Sequence, residues 1–308
     1  MERLPGFARL KPRLIRTLER ALLRLRPAPG SWVQPGHFYS PVVDPAAPHV
    51  VKVCREFASS EAGHGEDLAI DENLILETII RISGHYGKMQ FPETRQDGYR
   101  YYADNSAYSC GEATLFSCML LDLRPKRFVE IGSGFSSGAA MDTSDRFLDG
   151  AVEFTFIDPF PDTLLSLLGH NDRYRDRVVA KPLQDVPLET FSRLEPNDIL
   201  FVDSSHVAKM GSDVNDCFFR ILPALKPGVV VHFHDIFYPF EYPPEWITDV
   251  QLSWNEAYLL HAFLQYNPRY RIICFNHLVQ RRFGDVLEQR MPAVFARGCG
   301  AGIWLRKE

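Results

Sequence analysis

A chain of 308 residues with a net charge of −5 and six cysteines has length for one large α/β domain and an appendage. Cys54, Cys110, Cys118, Cys217, Cys274 and Cys299 form no C-x-x-C pair and have no histidines at zinc-ligand spacing. That excludes a disulfide framework and a zinc finger, and points to reduced thiols in the cytoplasm. No apolar run reaches the roughly 20 residues of a spanning helix, none has the form of a secretion signal, and beyond residue 27 the charge is about −11, against a nucleic-acid partner.

In chain order, residues 1–27 carry Leu10, Leu14, Leu18, Leu22 and Leu25 at helical spacing, with Arg16, Arg20 and Arg24 opposite. This is a basic amphipathic arm, suited to docking on the body, on a second subunit of a homo-oligomer, or on an anionic membrane surface. Residues 28–104 read as a Pro- and Gly-rich linker to about residue 50, then a helical cap near 66–83 with Leu74, Ile75, Ile79, Ile80 and Ile82 as its buried face. From 105 to 308 short apolar strands alternate with helical stretches, beginning with a helix whose start Ser109 and Glu112 mark as a capping box. Strands are expected at Arg127–Ile131, Glu153–Ile157, Val178–Leu183, Asp198–Val202, Val229–Phe233, Arg271–Phe275 and Gly302–Arg306, with a helix near 253–266. The expected fold is a doubly wound, seven-stranded, mostly parallel sheet.

The first strand runs into Glu130-Ile131-Gly132-Ser133-Gly134 and then Ser137. Glycine permits the tight turn and lets a ligand approach the backbone, and the helix that follows offers unpaired N–H groups to a nucleotide-type ligand. A dinucleotide fingerprint asks for a third glycine where Ser137 stands and for no acid at Glu130. Asp158 ends the second strand, where an acid would accept hydrogen bonds from both ribose hydroxyls; many solvent-facing acids also end strands.

The Glu-x-Gly-x-Gly pattern resembles the class I methyltransferase motif, a likeness that extends over about residues 105–308. The resemblance implies S-adenosylmethionine as cofactor, with Glu130 near its methionine ammonium group. It also implies adenine recognition by Gln184 and Asp185, although Asp185 serves equally as a helix N-cap. Tyr108 and Ser109, in Asn105-Ser106-Ala107-Tyr108-Ser109, either close over the methionine end or simply cap the next helix.

The fourth strand ends in Asp203-Ser204-Ser205-His206 and the fifth in His232-Phe233-His234-Asp235. Ligands gather at the carboxyl ends of parallel strands, so Asp203, His206, His234 and Asp235 are expected to converge. Two carboxylates with an imidazole or waters suit Mg²⁺ or another divalent cation, which would orient vicinal hydroxyls and acidify one of them. His206 titrates nearest neutrality and is the candidate general base; exposure at a helix start is its plain alternative. His232 reads as a core histidine bonded to a neighbour.

These strand ends resemble metal-dependent O-methyltransferases of the macrolide-sugar type, and bacterial methyltransferases of polysaccharide and natural-product clusters. The resemblance implies Asp203 and Asp235 as metal ligands and His206 as base. His234 stands where that family has an acid, which leaves open a transition metal or no metal. Tyr238, Phe240, Tyr242 and Trp246 make an aromatic loop that either stacks on the acceptor or packs on the body.

The expectation is therefore an O-methyltransferase acting on a hydroxyl of a sugar or polyhydroxylated small molecule. The nearest alternative is metal-free O- or N-methyl transfer. From other classes come a nicotinamide-dependent oxidoreductase, which Glu130 and Ser137 disfavour, and a non-catalytic cofactor-binding partner.

Overall fold

The structure, a computed structural model, describes residues 32–59, 68 and 70–308. The basic arm expected over residues 1–27 lies outside them. The described residues fall into two compact units, one drawn from Met1–Ala62 with Pro243–Ser253, the other from Gly63–Tyr242 with Trp254–Glu308. In the first, turns through 32–47 lead to helix α1 (Pro48–Ser59).

In the second unit, α2 (Glu72–Ser83) starts at Asp71, whose carboxylate accepts from the Leu74 N–H and so satisfies one of the four free donors of the first turn. Ile75, Thr78, Ile79 and Ile82 form its buried stripe, and the helix packs on α3 (Cys110–Leu123) and on the strand Tyr270–Phe275. Ile80, expected inside, is 40 % exposed, because one residue beyond Ile79 the helix has turned by about 100° away from the stripe.

Seven strands form one sheet: β1 (Arg127–Ile131), β2 (Glu153–Ile157), β3 (Val178–Val179), β4 (Ile199–Val202), β5 (Val230–His234), β6 (Tyr270–Phe275) and β7 (Gly302–Lys307). Their order is β3-β2-β1-β4-β5-β7-β6, with β7 antiparallel to β5 and β6 and the first five strands parallel. The central strands β1, β4 and β5 are buried on both faces, as helical coverage of both sides requires, while β2 and the edge strand β3 are only partly buried. Phe116 of α3 is at 5.4 Å from Phe201 and 6.1 Å from Trp304, fastening that helix to the sheet centre. The third strand is shorter than expected: Lys181 N–H turns back to the Val179 carbonyl, and Pro182, which has no N–H to give a ladder, follows.

The register places the functional edge. Ile131 pairs with both Ile157 and Val202, and Val202 with Phe233, so the carboxyl ends of β1, β2, β4 and β5 lie level. The chain winds outward from β1 to β3, then returns to β4 on the other side. A crevice therefore opens between the ends of β1 and β4, where the winding reverses.

Candidate active site

At that crevice the turn after β1 packs directly on the end of β4. Gly132 has φ of +78°, and a Cβ there would sit 1.8 Å from the Asp203 carbonyl oxygen, so no other residue fits without moving the strand end. Helix α4 (Phe135–Phe147) follows. Ser137, standing where a dinucleotide fold would have glycine, accepts from Gly134 N–H (3.0 Å) and donates to Glu130 (2.5 Å). Ser136 donates to the other Glu130 oxygen at 2.6 Å. Glu130 is wholly buried, and burial pushes its carboxyl up to about 8 despite those two hydroxyls.

Asp158 leaves β2 with one oxygen accepting from Ser133 N–H and Oγ, both at 3.0 Å, and the other from Phe160 N–H at 2.8 Å. Gly132, Asp158, Phe160, Gln184 and Asp203 line a cavity of about 460 Å³, within the range that takes a drug-sized ligand. Glu130 is not among its lining residues, although Ile131 and Gly132 next to it are. Gln184 donates its amide to the Gly211 carbonyl at 2.7 Å, and Asp185 is exposed beside it in a short 3-10 turn. Phe160, 81 % exposed, was missed by sequence reasoning; with Pro182 and Leu183 it gives the cavity an apolar wall suited to a flat ring.

Asp203, His206, His234 and Asp235 do converge. His206 Nε2 is 3.1 Å from Asp203 Oδ1 and 3.7 Å from Asp235 Oδ2, and Asp203, His206 and Asp235 each present a ligand atom within 4.8 Å of the others. His234 Nδ1 is 3.5 Å from the same two carboxylate oxygens. Both His206 (φ +58°) and Asp235 (φ +56°) occupy the left-handed backbone region, a cost of about 1 kcal/mol or more each that packing at the strand ends sustains.

Two further carboxylates, unforeseen in the sequence, stand behind the histidines. Glu256, the first residue of α5 (Glu256–Gln265), is wholly buried and meets His206 Nδ1 at 2.8 Å, while its other oxygen accepts from Ser204. Glu112 of α3 lies 3.1 Å from His234 Nε2, off the line of a hydrogen bond. Half of the expected capping box is present: Ser109 accepts from Glu112 N–H, but the Glu112 side chain turns to the histidine instead of reaching back. Burial opposes the charge on His206, yet hydrogen bonds to Asp203 and Glu256 outweigh it and raise the imidazole to about 10. Desolvation at the crevice also opposes ionisation of the partly exposed Asp203, but the charge of His234 with the bond to His206 holds it well below the usual carboxylate range.

Around this cluster, Tyr108 is buried with its hydroxyl unpartnered and its ring 5.6 Å from His234, whereas Ser109 is an exposed helix cap. His232 is buried between Phe201 and Trp304 with neither ring nitrogen bonded, unlike the partnered core histidine expected, and burial keeps it neutral. Of the aromatic loop, Phe240 stacks on His261, Tyr242 accepts from Ala257 N–H, and both are buried. Tyr238 abuts Phe275, and Trp246 belongs to the first unit. Trp254 also meets the cluster, 4.2 Å from the His206 ring; it lies just before α5, where sequence periodicity reads only helix.

A protein family described as a methyltransferase domain matches residues 129–236. An uncharacterized protein of Archaeoglobus fulgidus is 33 % identical over 178 residues, 55 % of this chain and 77 % of that one. Among solved structures, the S-adenosylhomocysteine-bound methyltransferase PaMTH1 of Podospora anserina is 16 % identical, covering 86 % of this chain and 98 % of its own, with a TM-score of 0.43. The O-methyltransferase TomG of Streptomyces achromogenes, involved in tomaymycin synthesis and bound to S-adenosylmethionine, is 15 % identical, covering 83 % and 96 %, with a TM-score of 0.41.

Proposed function

We propose that the chain, which carries a methyltransferase domain, is a class I enzyme that takes its methyl group from S-adenosylmethionine, and that it methylates a hydroxyl of a sugar or other polyhydroxylated small molecule with a divalent cation's help. The observation that carries this reading is Asp203, which both lines the cavity beside Gly132 and Asp158 and belongs to the two-histidine, two-aspartate cluster. A methyl donor in the cavity would thus have its reacting end next to groups able to bind an acceptor oxygen and take its proton.

In this reading Asp158 accepts from the ribose hydroxyls, and Phe160 and Gln184 face the adenine with Asp185 at its rim. Glu130, with Gly132, Ser133, Gly134, Ser137, Tyr108 and Ser109, forms the surroundings of the methionine end. A divalent cation, when bound by Asp203, Asp235 and His234, would hold adjacent acceptor oxygens and lower the pKa of one. As the new O–C bond forms and the C–S bond breaks, its electrons pass to sulfur and the hydroxyl proton to His206 Nε2. That nitrogen is free to accept only when Asp203 no longer holds a proton on it, a condition that engagement of Asp203 elsewhere would meet. A second reading is favoured by the convergence of Asp203, His206 and Asp235: here His206 Nε2 is itself a cation ligand. We assign residues 105–308 to the catalytic domain, 28–104 to linker and cap, and the enzyme to the cytoplasm, with the basic arm serving a second subunit or a peripheral contact.

Calorimetric titration of S-adenosylmethionine and NADH, with and without chelator, tests the proposal. Methyl-donor binding retained in an Asp203→Ala, Asp235→Ala double variant, with turnover lost, supports it. Preference for NADH rejects it, and full turnover in chelator moves it to metal-free transfer.

A further inference from the structure

The four inward atoms of the cluster alternate nitrogen and oxygen: His206 Nε2, Asp203 Oδ1, His234 Nδ1, Asp235 Oδ2. Their successive separations are 3.1, 3.5, 3.5 and 3.7 Å. Donor atoms bound at about 2.1 Å to one cation lie about 3.0–3.4 Å apart, so the set needs only a small contraction to enclose an ion. His234 adds an independent sign. It is 6 % exposed, points Nδ1 at both carboxylates, and has neither ring nitrogen in a well-formed hydrogen bond.

The far side of each imidazole carries the second half of the pattern. His206 Nδ1 meets Glu256 at 2.8 Å, and His234 Nε2 meets Glu112 at 3.1 Å. A ligating histidine ordinarily gives its other N–H to a carboxylate, which fixes the tautomer and strengthens the ligand. Two such carboxylate–histidine arms facing one pair of aspartates have no comparable use in a hard-oxygen magnesium site, where imidazole is a poor donor.

We propose that His206, His234, Asp203 and Asp235 form a two-histidine, two-carboxylate site for a first-row transition-metal ion of the Mn²⁺ to Zn²⁺ series, with Glu256 and Glu112 as positioning residues. This inference rests on the cation-assisted reading above and completes its second form, in which His206 is a ligand. Four protein donors leave two positions of a six-coordinate ion, enough for two neighbouring acceptor oxygens.

The test is binding of Mn²⁺, Co²⁺, Zn²⁺ and Mg²⁺ to the full chain by calorimetry, with pulsed electron paramagnetic resonance of the Mn²⁺-loaded protein. The expected result is a stoichiometric site at least a hundredfold tighter for Zn²⁺ and Co²⁺ than for Mg²⁺. Nitrogen couplings should arise from two imidazoles, falling to one in His206→Ala and in His234→Ala. Glu256→Gln, which keeps the shape of the side chain, should weaken Co²⁺ binding by about 10–100-fold. Unchanged S-adenosylhomocysteine affinity in each variant shows that the fold persists. Mg²⁺ preference with no nitrogen coupling overturns the four-ligand site and leaves oxygen-held cation assistance standing. Absence of stoichiometric binding by all four ions, in protein that binds S-adenosylhomocysteine, overturns both.

Discussion

Glu130 holds an unusual position: a carboxyl that burial lifts to about 8, yet one we place beside a cationic group. With the folded value above the ordinary 4.5, the folded state holds the proton more tightly than the unfolded one. The stabilisation this confers is full below about 4.5 and is lost as pH rises through about 8. A cationic cofactor favours the ionised form, so S-adenosylhomocysteine affinity should rise between pH 6 and 8, approaching tenfold per unit, with proton release visible as a buffer-dependent binding enthalpy. Glu130→Gln should flatten both responses; a flat profile in the parent protein would remove the ammonium assignment. Gly132 is constrained by backbone instead. Gly132→Ala places a methyl inside contact distance of the Asp203 carbonyl at a positive φ, and should cost about 3 kcal/mol or more in denaturant unfolding.

Between strands and helices, the informative feature is how the β4 loop is fastened. The His206 carbonyl accepts from Asn255 and Glu256 N–H at the start of α5, and the Asn255 side chain bonds both Ala208 N–H and its carbonyl. One helix start thus anchors the loop and delivers Glu256 to His206. Asn255→Ala should cost about 1–2 kcal/mol in stability. The β4 loop also lines the cavity through Ser205, Lys209 and Gly211, so freeing it should lower kcat and cofactor affinity together; unchanged values of both would show that Asn255 does not hold the loop. The aromatic loop behaves differently from its sequence reading, since Phe240 and Tyr242 spend their surfaces on His261, Phe275 and α5.

Across the larger unit, Arg100 joins segments that the sheet alone does not connect. It contacts Asp142 and Asp145 of α4 at 3.1 and 3.0 Å and Asp172 at 2.7 Å. Asp142 is almost wholly buried, so removal of the guanidinium leaves its charge away from water with only the backbone N–H groups of residues 100 and 101. Arg100→Met should destabilise by about 3 kcal/mol, and adding Asp142→Asn should recover part of that loss. If Arg100→Met left the urea midpoint unmoved, the network would be only a surface pairing.

Local order is legible along the chain. Apolar runs of period two, a glycine turn and strand-end acids locate β1 and β2 at their observed limits and bring Asp203, His206, His234 and Asp235 to neighbouring strand ends. Those signals lie in residues a few positions apart, whose backbone geometry is set by their immediate neighbours. The short β3 shows the limit, because the chain turns back at Lys181 within an otherwise extended run. What folding alone decides is who stands behind the histidines. Glu256 is 50 residues from His206, and Glu112 reaches His234 from a helix that reads only as a capping-box start. Such carboxylates look like surface acids in a linear text; they acquire partners only when helix packing takes them out of water, where an unpaired charge is too costly to leave alone.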